Sequence, residues 1–310
     1  MTRVGFVAVI GAPNAGKSTL VNRLVGSKVT IVTRKVQTTR FAVRGVAMEG
    51  ETQIVLVDTP GIFAPRRRLD RAMVRAAWSG ADDADVVVHI VDAEAEDHQR
   101  SGGGRSADRL SVEDTETIRD RLRAAGRRAI LALNKIDCVR KERLLELAEV
   151  LFDGEIYDEV FMISAARGAG VGDLKKSLAR KMPEGPWLYP EDQIADVPMR
   201  VLAAEITREK LYLRVHEELP YSAAVETTGY EERSDGSVKI DQTIFVEREG
   251  QRGILIGKNG GTLKWIGKAA REELSGLLGR PTHLFLHVKV RPGWADDRGY
   301  YRDVGLDFDA

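Results

Sequence analysis

Eight residues near the start of the chain have the types and spacing of a loop that surrounds phosphate groups. They fit the pattern G-x-x-x-x-G-K-[ST], between an apolar run at 4–10 and a helical stretch that starts at Thr19: Gly11, Ala12, Pro13, Asn14, Ala15, Gly16, Lys17 and Ser18. Backbone N–H groups of such a loop and the N-terminus of the next helix can bind phosphate oxygens. Lys17 would reach the β- and γ-phosphates, and the Ser18 hydroxyl would bind Mg²⁺. The alternative is a glycine turn that occurs by chance in an α/β protein.

A second motif supplies a carboxylate for the same metal ion. The apolar run at 54–57 is followed by Asp58, Thr59, Pro60 and Gly61. The carboxylate of Asp58 can hold Mg²⁺ through water, and the N–H of Gly61 can face the γ-phosphate. Because ligands of open α/β sheets bind at the carboxyl ends of the strands, we expect this motif and the glycine loop to meet.

Two later motifs predict that the base of the nucleotide is guanine. The run at 130–133 is followed by Asn134, Lys135, Ile136 and Asp137, and the run at 160–163 by Ser164, Ala165 and Ala166. Asp137 can accept hydrogen bonds from guanine N1–H and N2–H₂, groups that adenine does not supply, and losing such a pair at a buried site is costly. Backbone N–H groups of the last motif would face guanine O6. Four motifs in this order predict a site for GTP or GDP with Mg²⁺.

The elements that must position these motifs alternate between strands and helices. Apolar runs at 4–10, 54–57, 86–91, 130–133 and 160–163, each followed by a helical pattern, predict a mostly parallel sheet covered on both faces. The runs at 41–48 and 53–57 are close enough for a hairpin, which makes one strand antiparallel and the sheet mixed. Residues 97–111 contain a glycine run and lack periodicity, so we expect a mobile surface loop there.

A proline-rich stretch at 182–198 separates two domains, because it cannot continue a helix. We predict a GTP-binding domain at 1–182, a linker at 183–199, and a second domain with its tail at 200–310. In the second domain the patterns predict a strand at 200–206, a helix at 208–218, and a hairpin of 223–231 with 238–247. A helical stretch at 253–278 and a strand at 283–290 complete an α+β unit.

The second domain contains a G-x-x-G loop whose glycines let a sugar-phosphate chain approach the backbone closely. Residues 251–291 carry eight basic and two acidic side chains, a local excess in a chain that has 47 residues of each sign. These features predict binding of single-stranded RNA; the alternative is a solvated helix face. The candidate RNA-binding residues are Gly257, Lys258, Asn259, Gly260, Lys264, Lys268, Arg291 and Trp294. Trp294 could instead pack the tail onto the domain.

Bulk composition excludes several classes of protein. With 310 residues, 43% hydrophobic and 30% charged, the chain is neither disordered nor membrane-spanning, and two hydrophobic cores are expected. Cys138 is the one cysteine, which excludes an internal disulfide and fits a reducing cytoplasm. The five histidines lack ligand spacing, so a zinc site is not predicted.

The motifs, together with Thr33–Arg40, Glu217–Ser222, the core at 254–267 and Val288–Asp297, resemble the bacterial Era family of GTPases. The resemblance implies a Ras-like P-loop G domain with a mixed, mostly parallel sheet, followed by a type II KH domain. It implies that Thr39, with Thr38 as the alternative, closes on Mg²⁺ and the γ-phosphate. It also implies binding near the 3′ end of 16S ribosomal RNA during maturation of the 30S subunit. The expected protein is a cytoplasmic monomer with a peripheral contact at the inner membrane.

Hydrolysis must use something other than the glutamine of Ras-like enzymes, because Ile62 follows Gly61 and cannot orient water. We hypothesise that Asn14 helps bind K⁺, which would supply positive charge. The expected catalytic residues are therefore Lys17, Thr39, Gly61 and Asn14. Two rivals stay open: a GTPase that acts on a different RNA, such as a tRNA-modification factor, and an RNA-binding module that binds GTP with negligible turnover.

Overall fold

The computed structural model of the chain describes residues 1–33, 35, 37–215 and 219–310, without the side chain of Asp303. Two compact units make up the chain. The first contains residues 1–30, 39–196 and 306–310, and the second contains residues 31–38 and 197–305. Residues 34 and 36 of the segment that carries the family resemblance, and residues 216–218 of a predicted helix, lie outside the described residues.

The first unit is a six-stranded sheet with helices on both faces. Its strands are β1 (Arg3–Ile10), β2 (Val43–Glu49), β3 (Thr52–Asp58), β4 (Val86–Asp92), β5 (Ala129–Asn134) and β6 (Tyr157–Met162), in the order β2-β3-β1-β4-β5-β6. β2 is antiparallel to β3, and the other pairs are parallel. The predicted mixed, mostly parallel sheet is therefore confirmed. Its helices are α1 (Lys17–Val25), α2 (Arg68–Asp83), α3 (Ala93–Arg100), α4 (Ser106–Ala124), α5 (Lys141–Leu151) and α6 (Val171–Lys181).

Two hydrophobic clusters hold these layers together. On one face, buried residues of α1 and α6 such as Leu20 and Leu178 pack with the sheet. On the other face, buried residues of α2, α4 and α5 such as Trp78, Ile118 and Leu147 do so. Continuous burial along β3 explains why its sequence lacks an alternating pattern. Helices cover both faces of the sheet, so a ligand cannot bind there. The loops at the carboxyl ends of the strands are where open α/β sheets bind ligands.

The expectation of a loop at 97–111 is wrong for most of that segment. α3 extends to Arg100 and α4 starts at Ser106, so the glycine run lies in a short connection. The carboxylate of Asp108 accepts the N–H of Arg105 at 2.9 Å and caps the start of α4. The described buried residues of α4 begin at Thr115. Its first turns therefore carry no apolar periodicity from which the helix could have been predicted.

The second unit packs helices against a three-stranded sheet. The elements are α7 (Met199–Arg214), β7 (Ala223–Glu232), β8 (Val238–Val246), α8 (Glu249–Ile256), α9 (Gly261–Leu278), β9 (Thr282–Val290) and α10 (Arg298–Asp303). In the order β7-β8-β9, β8 is antiparallel to β7 and parallel to β9. The succession α-β-β-α-α-β confirms the type II KH topology. The predicted strand at 200–206 is wrong: it is the first half of α7, where Leu202, Ala203 and Ile206 are buried at helical spacing.

The proline-rich segment is bonded to the first unit as far as residue 196. The N–H of Val46 donates to the carbonyl of Ile194 at 2.9 Å, and the N–H of Asp196 donates to Arg44 at 3.0 Å. The buried Gln53 accepts the N–H of Tyr189 at 3.0 Å. The predicted domain bounds, at 182/183 and 199/200, stay a prediction. In the part of the chain that the structure describes, no helix has the length and apolar composition needed to cross a membrane.

Candidate functional site

The glycine loop lies between β1 and the first turn of α1, as the sequence predicts. Gly16 has φ 106°, and a Cβ there would lie 2.2 Å from Nδ2 of Asn134, so only glycine fits. Lys17 is 6% exposed. Its Nζ donates to the carbonyls of Gly11 at 3.0 Å and Ala12 at 2.8 Å. Burial lowers the pKa of Lys17 to about 8, against the attraction of Asp58 and Asp114. The loop therefore holds a cation beside its own backbone groups.

Three hydroxyl groups converge on the carboxylate of Asp58, which is fully buried. Its Oδ2 accepts from Ser18 Oγ at 2.8 Å, from Thr30 Oγ1 at 2.8 Å and from Thr39 Oγ1 at 3.3 Å. Ser18 Oγ and Thr39 Oγ1 lie 2.9 Å apart. The Thr38 hydroxyl donates to the Lys35 carbonyl at 2.7 Å. Thr39, and not its neighbour, is thus the threonine that belongs to this cluster.

The oxygen donors of this cluster fit Mg²⁺, a hard cation that prefers carboxylate and hydroxyl ligands. Within the described residues, Asp58 Oδ1 is buried and has no hydrogen-bond partner. Burial raises the pKa of Asp58, while hydrogen bonds from Ser18 and Thr30 and the charge of Lys17 oppose this. A nearby divalent cation would favour the ionised carboxylate further. Ser18, Thr39 and Asp58 remain the residues that we propose for the metal ion.

Asn134 connects the glycine loop to the motif that follows β6. Its Nδ2 donates to the Ala15 carbonyl at 2.7 Å, and its Oδ1 accepts the N–H of Ala165 at 2.9 Å. Arg23, which sequence reasoning missed, donates through Nε to the Ala165 carbonyl at 3.2 Å. These bonds join three loops at the carboxyl edge of the sheet. The two motifs predicted to bind guanine therefore lie together.

The groups around Asp137 favour the ionised form of its carboxyl. A hydrogen bond from Ser164, together with the charges of Arg167 and Lys135, holds the pKa of its carboxyl below the usual value. Arg167 Nε lies 3.1 Å from Asp137 Oδ2. Lys135, whose φ is 66°, forms an ion pair with Asp92. An ionised carboxylate at this position can accept two N–H donors from a base edge.

Among the described residues from Thr59 to Ile62, the one polar side chain is already hydrogen-bonded to the backbone and the others are apolar or glycine. A Cβ on Gly61 would lie 3.0 Å from Pro13 Cγ. The next residue, Ile62, is 2% exposed and packs in the cluster that contains Trp78. The Thr59 hydroxyl donates to the Val9 carbonyl at 2.8 Å, and Pro60 is buried. Asn14 is exposed and has φ 61°.

Asp114 on α4 is a second acid that sequence reasoning missed, because it belongs to none of the nucleotide motifs. It is half-buried. Burial raises the pKa of Asp114 to about 6, and Glu113 adds to this rise. Lys17 and a hydrogen bond from the backbone of Ala64 act in the opposite direction. Asp114 is therefore an acid near the phosphate loop whose charge changes close to neutral pH.

The G-x-x-G loop joins α8 to α9 and requires its glycines. Gly257 has φ 73°, and a Cβ there would lie 2.4 Å from Thr262 Oγ1. Gly260 has φ 73° and Asn259 has φ 53°. Lys258, on the loop, and Lys264 and Lys268, on α9, are exposed. The structure thus presents an open backbone turn and three cations on consecutive elements.

The prediction that Trp294 contacts RNA is wrong for this structure. The indole is 2% exposed, its Nε1 donates to the Ser222 carbonyl at 3.1 Å, and its ring packs edge-on against Tyr300 at 5.1 Å. Trp294 therefore fastens the tail to the KH fold. Arg291 is exposed, pairs with Asp297 and lies 5.3 Å from the ring centroid of Phe245.

The fold and the site define a P-loop GTPase followed by a KH domain. A family model described as 50S ribosome-binding GTPase matches residues 6–135, and one described as KH domain matches residues 218–295. GTPase Era of Caulobacter vibrioides is 66% identical over 308 residues, which cover 99% of this chain and 98% of that protein. GTPase Era of Maricaulis maris is 58% identical over 307 residues, with coverage of 99% and 98%. The chain belongs to the Era family of GTPases.

Two solved structures of Era are similar to the whole chain. One is Era in complex with MgGDPNP and nucleotides 1506–1542 of 16S ribosomal RNA, with a TM-score of 0.86, 39% identity, and coverage of 98% of this chain and 99% of that one. The other is a variant of Aquifex aeolicus Era bound to GDP and AlF4⁻, with a TM-score of 0.87 and the same identity and coverage.

Replacing Asp137 by asparagine should weaken GDP binding and change base selection. The amide would place a donor opposite the guanine 2-amino group, which costs about 1–3 kcal/mol, or about 5- to 150-fold in affinity. Xanthine has a carbonyl at that position, so its diphosphate should bind the variant better than it binds the parent. Calorimetric titration with both nucleotides measures this. Asp173→Asn, at an exposed position of α6, is the control; unchanged GDP affinity in Asp137→Asn would refute the assignment.

Asp114→Asn should raise the melting temperature of the nucleotide-free protein at pH 7. Because the pKa of Asp114 rises from 3.8 to about 6 on folding, its protonated form is favoured in the folded state. The carboxylate therefore destabilises the fold increasingly as pH rises from about 4 to about 6, and fully above that. Asparagine stays neutral, so the melting temperature of the variant should exceed that of the parent by a large margin at pH 7 and by a smaller one at pH 5. Thermal unfolding of both proteins at the two pH values tests this prediction. The same difference in melting temperature at pH 5 and pH 7 would contradict it.

Proposed function

We propose that this chain hydrolyses GTP with Mg²⁺ and binds the 3′ region of 16S ribosomal RNA during maturation of the 30S subunit. The observation that carries the proposal is that one Era complex with both ligands, MgGDPNP and that RNA, is similar to 98% of this chain. The chain supplies the matching chemistry itself. The nucleotide site is built around Asp58 and the RNA site around the G-x-x-G loop.

The residues of the glycine loop would bind and orient the triphosphate. Backbone N–H groups at the start of α1 face developing negative charge, and Lys17, held in place by the Gly11 and Ala12 carbonyls, can move to the β- and γ-oxygens. Mg²⁺ bound at Ser18, Thr39 and Asp58 would neutralise phosphate charge. Gly61 would contribute its N–H to the γ-phosphate. A Cβ at this position would lie 3.0 Å from Pro13 Cγ, so a larger residue would crowd the glycine loop. Guanine would be selected by the motifs that follow β5 and β6, which contain Asn134, Lys135, Asp137, Ser164, Ala165 and Ala166.

The second candidate function is an RNA-binding module that turns GTP over only negligibly. The burial of Ile62 favours it, because the described site holds no glutamine equivalent after Gly61. Phosphate release over several turnovers, stimulated by RNA, would exclude this candidate. A footprint on 16S ribosomal RNA would likewise exclude a tRNA-modification factor.

We also propose that the protein is a monomer, that it is cytoplasmic, and that it makes a peripheral contact with the inner membrane. These points rest on the family resemblance alone.

Affinity for a 3′-end oligonucleotide of 16S ribosomal RNA should depend on the nucleotide and on the KH lysines. Binding should be tighter with a GTP analogue than with GDP, because GTP would order the segments around Thr39 and Gly61. The KH variant, which combines Lys258→Ala, Gly260→Asp and Lys264→Ala, should bind more weakly. Its slope of log Kd against log salt should fall by about 2, one for each lysine.

Fluorescence anisotropy measures this binding at two or more salt concentrations. Lys176→Ala, at an exposed position of α6, is the matched control and should bind like the parent. Equal affinity of the KH variant and the parent would refute the RNA site. Equal affinity with GTP analogue and GDP would refute the switch.

GTP turnover should be faster in K⁺ than in Na⁺ at equal ionic strength if Asn14 helps to hold K⁺ near the phosphates. Asn14 lies in the glycine loop, is exposed and has a left-handed backbone, and a monovalent cation beside it could supply positive charge to the phosphates. Asn14→Ala should abolish the difference between the two salts. Identical rates of the parent in both salts would contradict the hypothesis.

A further inference from the structure

The start of α2 and the residues before it form a cationic surface that the nucleotide site does not use. Five arginines lie within ten residues, and α4 adds a sixth beside Trp78: Arg66, Arg67, Arg68, Arg71, Arg75 and Arg121. Arg68, Arg71 and Arg75 are three and four positions apart, so they share one side of the helix. We call these six residues the arginine surface.

Three acidic groups of α2 lie near this surface and offset part of its charge. Asp70 is 5% exposed, and its carboxylate accepts the N–H groups of Arg66 at 3.0 Å and Arg67 at 2.9 Å as a helix cap. Asp82 and Asp83 lie at the far end of α2, in a groove of about 480 Å³ that Arg71, Arg75 and Arg121 also line. The surface is therefore a candidate for an anionic ligand.

Residues 306–310, which follow the KH fold in sequence but belong to the first unit, lie on the arginine surface. Asp307 Oδ2 is 2.9 Å from Arg75 Nη1. The ring centroid of Phe308 is 4.3 Å from the guanidinium carbon of Arg68. The carbonyl of Ala310 accepts from Arg71 Nε at 3.4 Å. Three arginines of α2 are thus contacted by this segment, one by a carboxylate, one by an aromatic ring and one by a carbonyl.

These contacts are of the kinds that a nucleic acid makes. Arginine pairs with phosphate as it does with carboxylate, and it stacks on bases as it does on phenyl rings. Arg75 and Asp307 are both about half exposed, and ion pairs of this kind contribute little to stability. Residues 306–310 therefore bind the arginine surface weakly. A polyanion gains more, because it releases counterions for every phosphate that is neutralised.

We propose that the arginine surface is a second RNA-binding surface, which contacts the sugar-phosphate backbone, and that residues 306–310 cover it as an intramolecular competitor. Acidic phospholipid would offer similar charge. RNA is favoured because, among the described residues, no exposed large apolar side chain lies on α2 to insert into a bilayer. The inference goes beyond the proposed function, which assigns RNA binding to the G-x-x-G loop.

The test uses the full-length protein with the KH variant as background, so that the loop contributes little, and a short RNA hairpin as probe. Asp307→Asn with Phe308→Ala should tighten binding by up to about fivefold, since the competitor is weakened. Adding Arg71→Gln and Arg75→Gln should remove this gain and lower the salt slope by about 2. Arg109→Gln, at an exposed position of α4 outside the surface, is the control and should leave the gain intact.

The inference would be overturned if the Asp307 and Phe308 changes gave no gain in RNA affinity, or if the gain persisted without Arg71 and Arg75. In a separate experiment, binding of the same variants to vesicles of acidic phospholipid is measured. Capture of the Asp307 and Phe308 variant by vesicles, with unchanged RNA affinity, would also overturn it. A KH variant that binds RNA as tightly as the parent would refute the RNA site proposed at the G-x-x-G loop but not this inference.

Discussion

The buried carboxylate of Asp58 is the constraint on which the nucleotide site depends. A buried charge is costly unless it is hydrogen-bonded or paired. Here the donors come from the start of α1, from Thr30 and from Thr39, so separate chain segments are fixed by one group at the end of β3. Lys17 adds the compensating positive charge. The parallel sheet serves this arrangement by bringing β1 and β3 side by side.

Close packing of side chains against the backbone is the second constraint, and it explains where glycine is required. At Gly16 the amide of Asn134 occupies the space of a side chain, and at Gly257 the Thr262 side chain does. The first contact lies where Asn134 bonds to the glycine loop and to the loop after β6. The second lies in the turn between α8 and α9 that we propose for RNA. At both places local crowding explains why glycine is required.

Sequence predicted the parts whose chemistry is local. The four nucleotide motifs and the G-x-x-G loop carry their spacing in consecutive residues, and buried strands such as β5 are short apolar runs. The strand expected at 200–206 was wrong because the apolar spacing of α7 is ambiguous over so few residues. The start of α4, at 106–111, was expected to be a loop because its first turns are polar. The burial of Trp294 and the contact of Asp307 with Arg75 depend on tertiary packing, which no local pattern encodes.

The most direct test of this account is the effect of Mg²⁺ on nucleotide binding in the parent and in Asp58→Asn. Calorimetric titration with a GTP analogue, with and without Mg²⁺, separates the metal site from the base and phosphate contacts. We predict that Mg²⁺ tightens binding in the parent and that Asp58→Asn loses most of this effect while it still binds the analogue without metal. An equal effect of Mg²⁺ in both proteins would show that Asp58 does not organise the site.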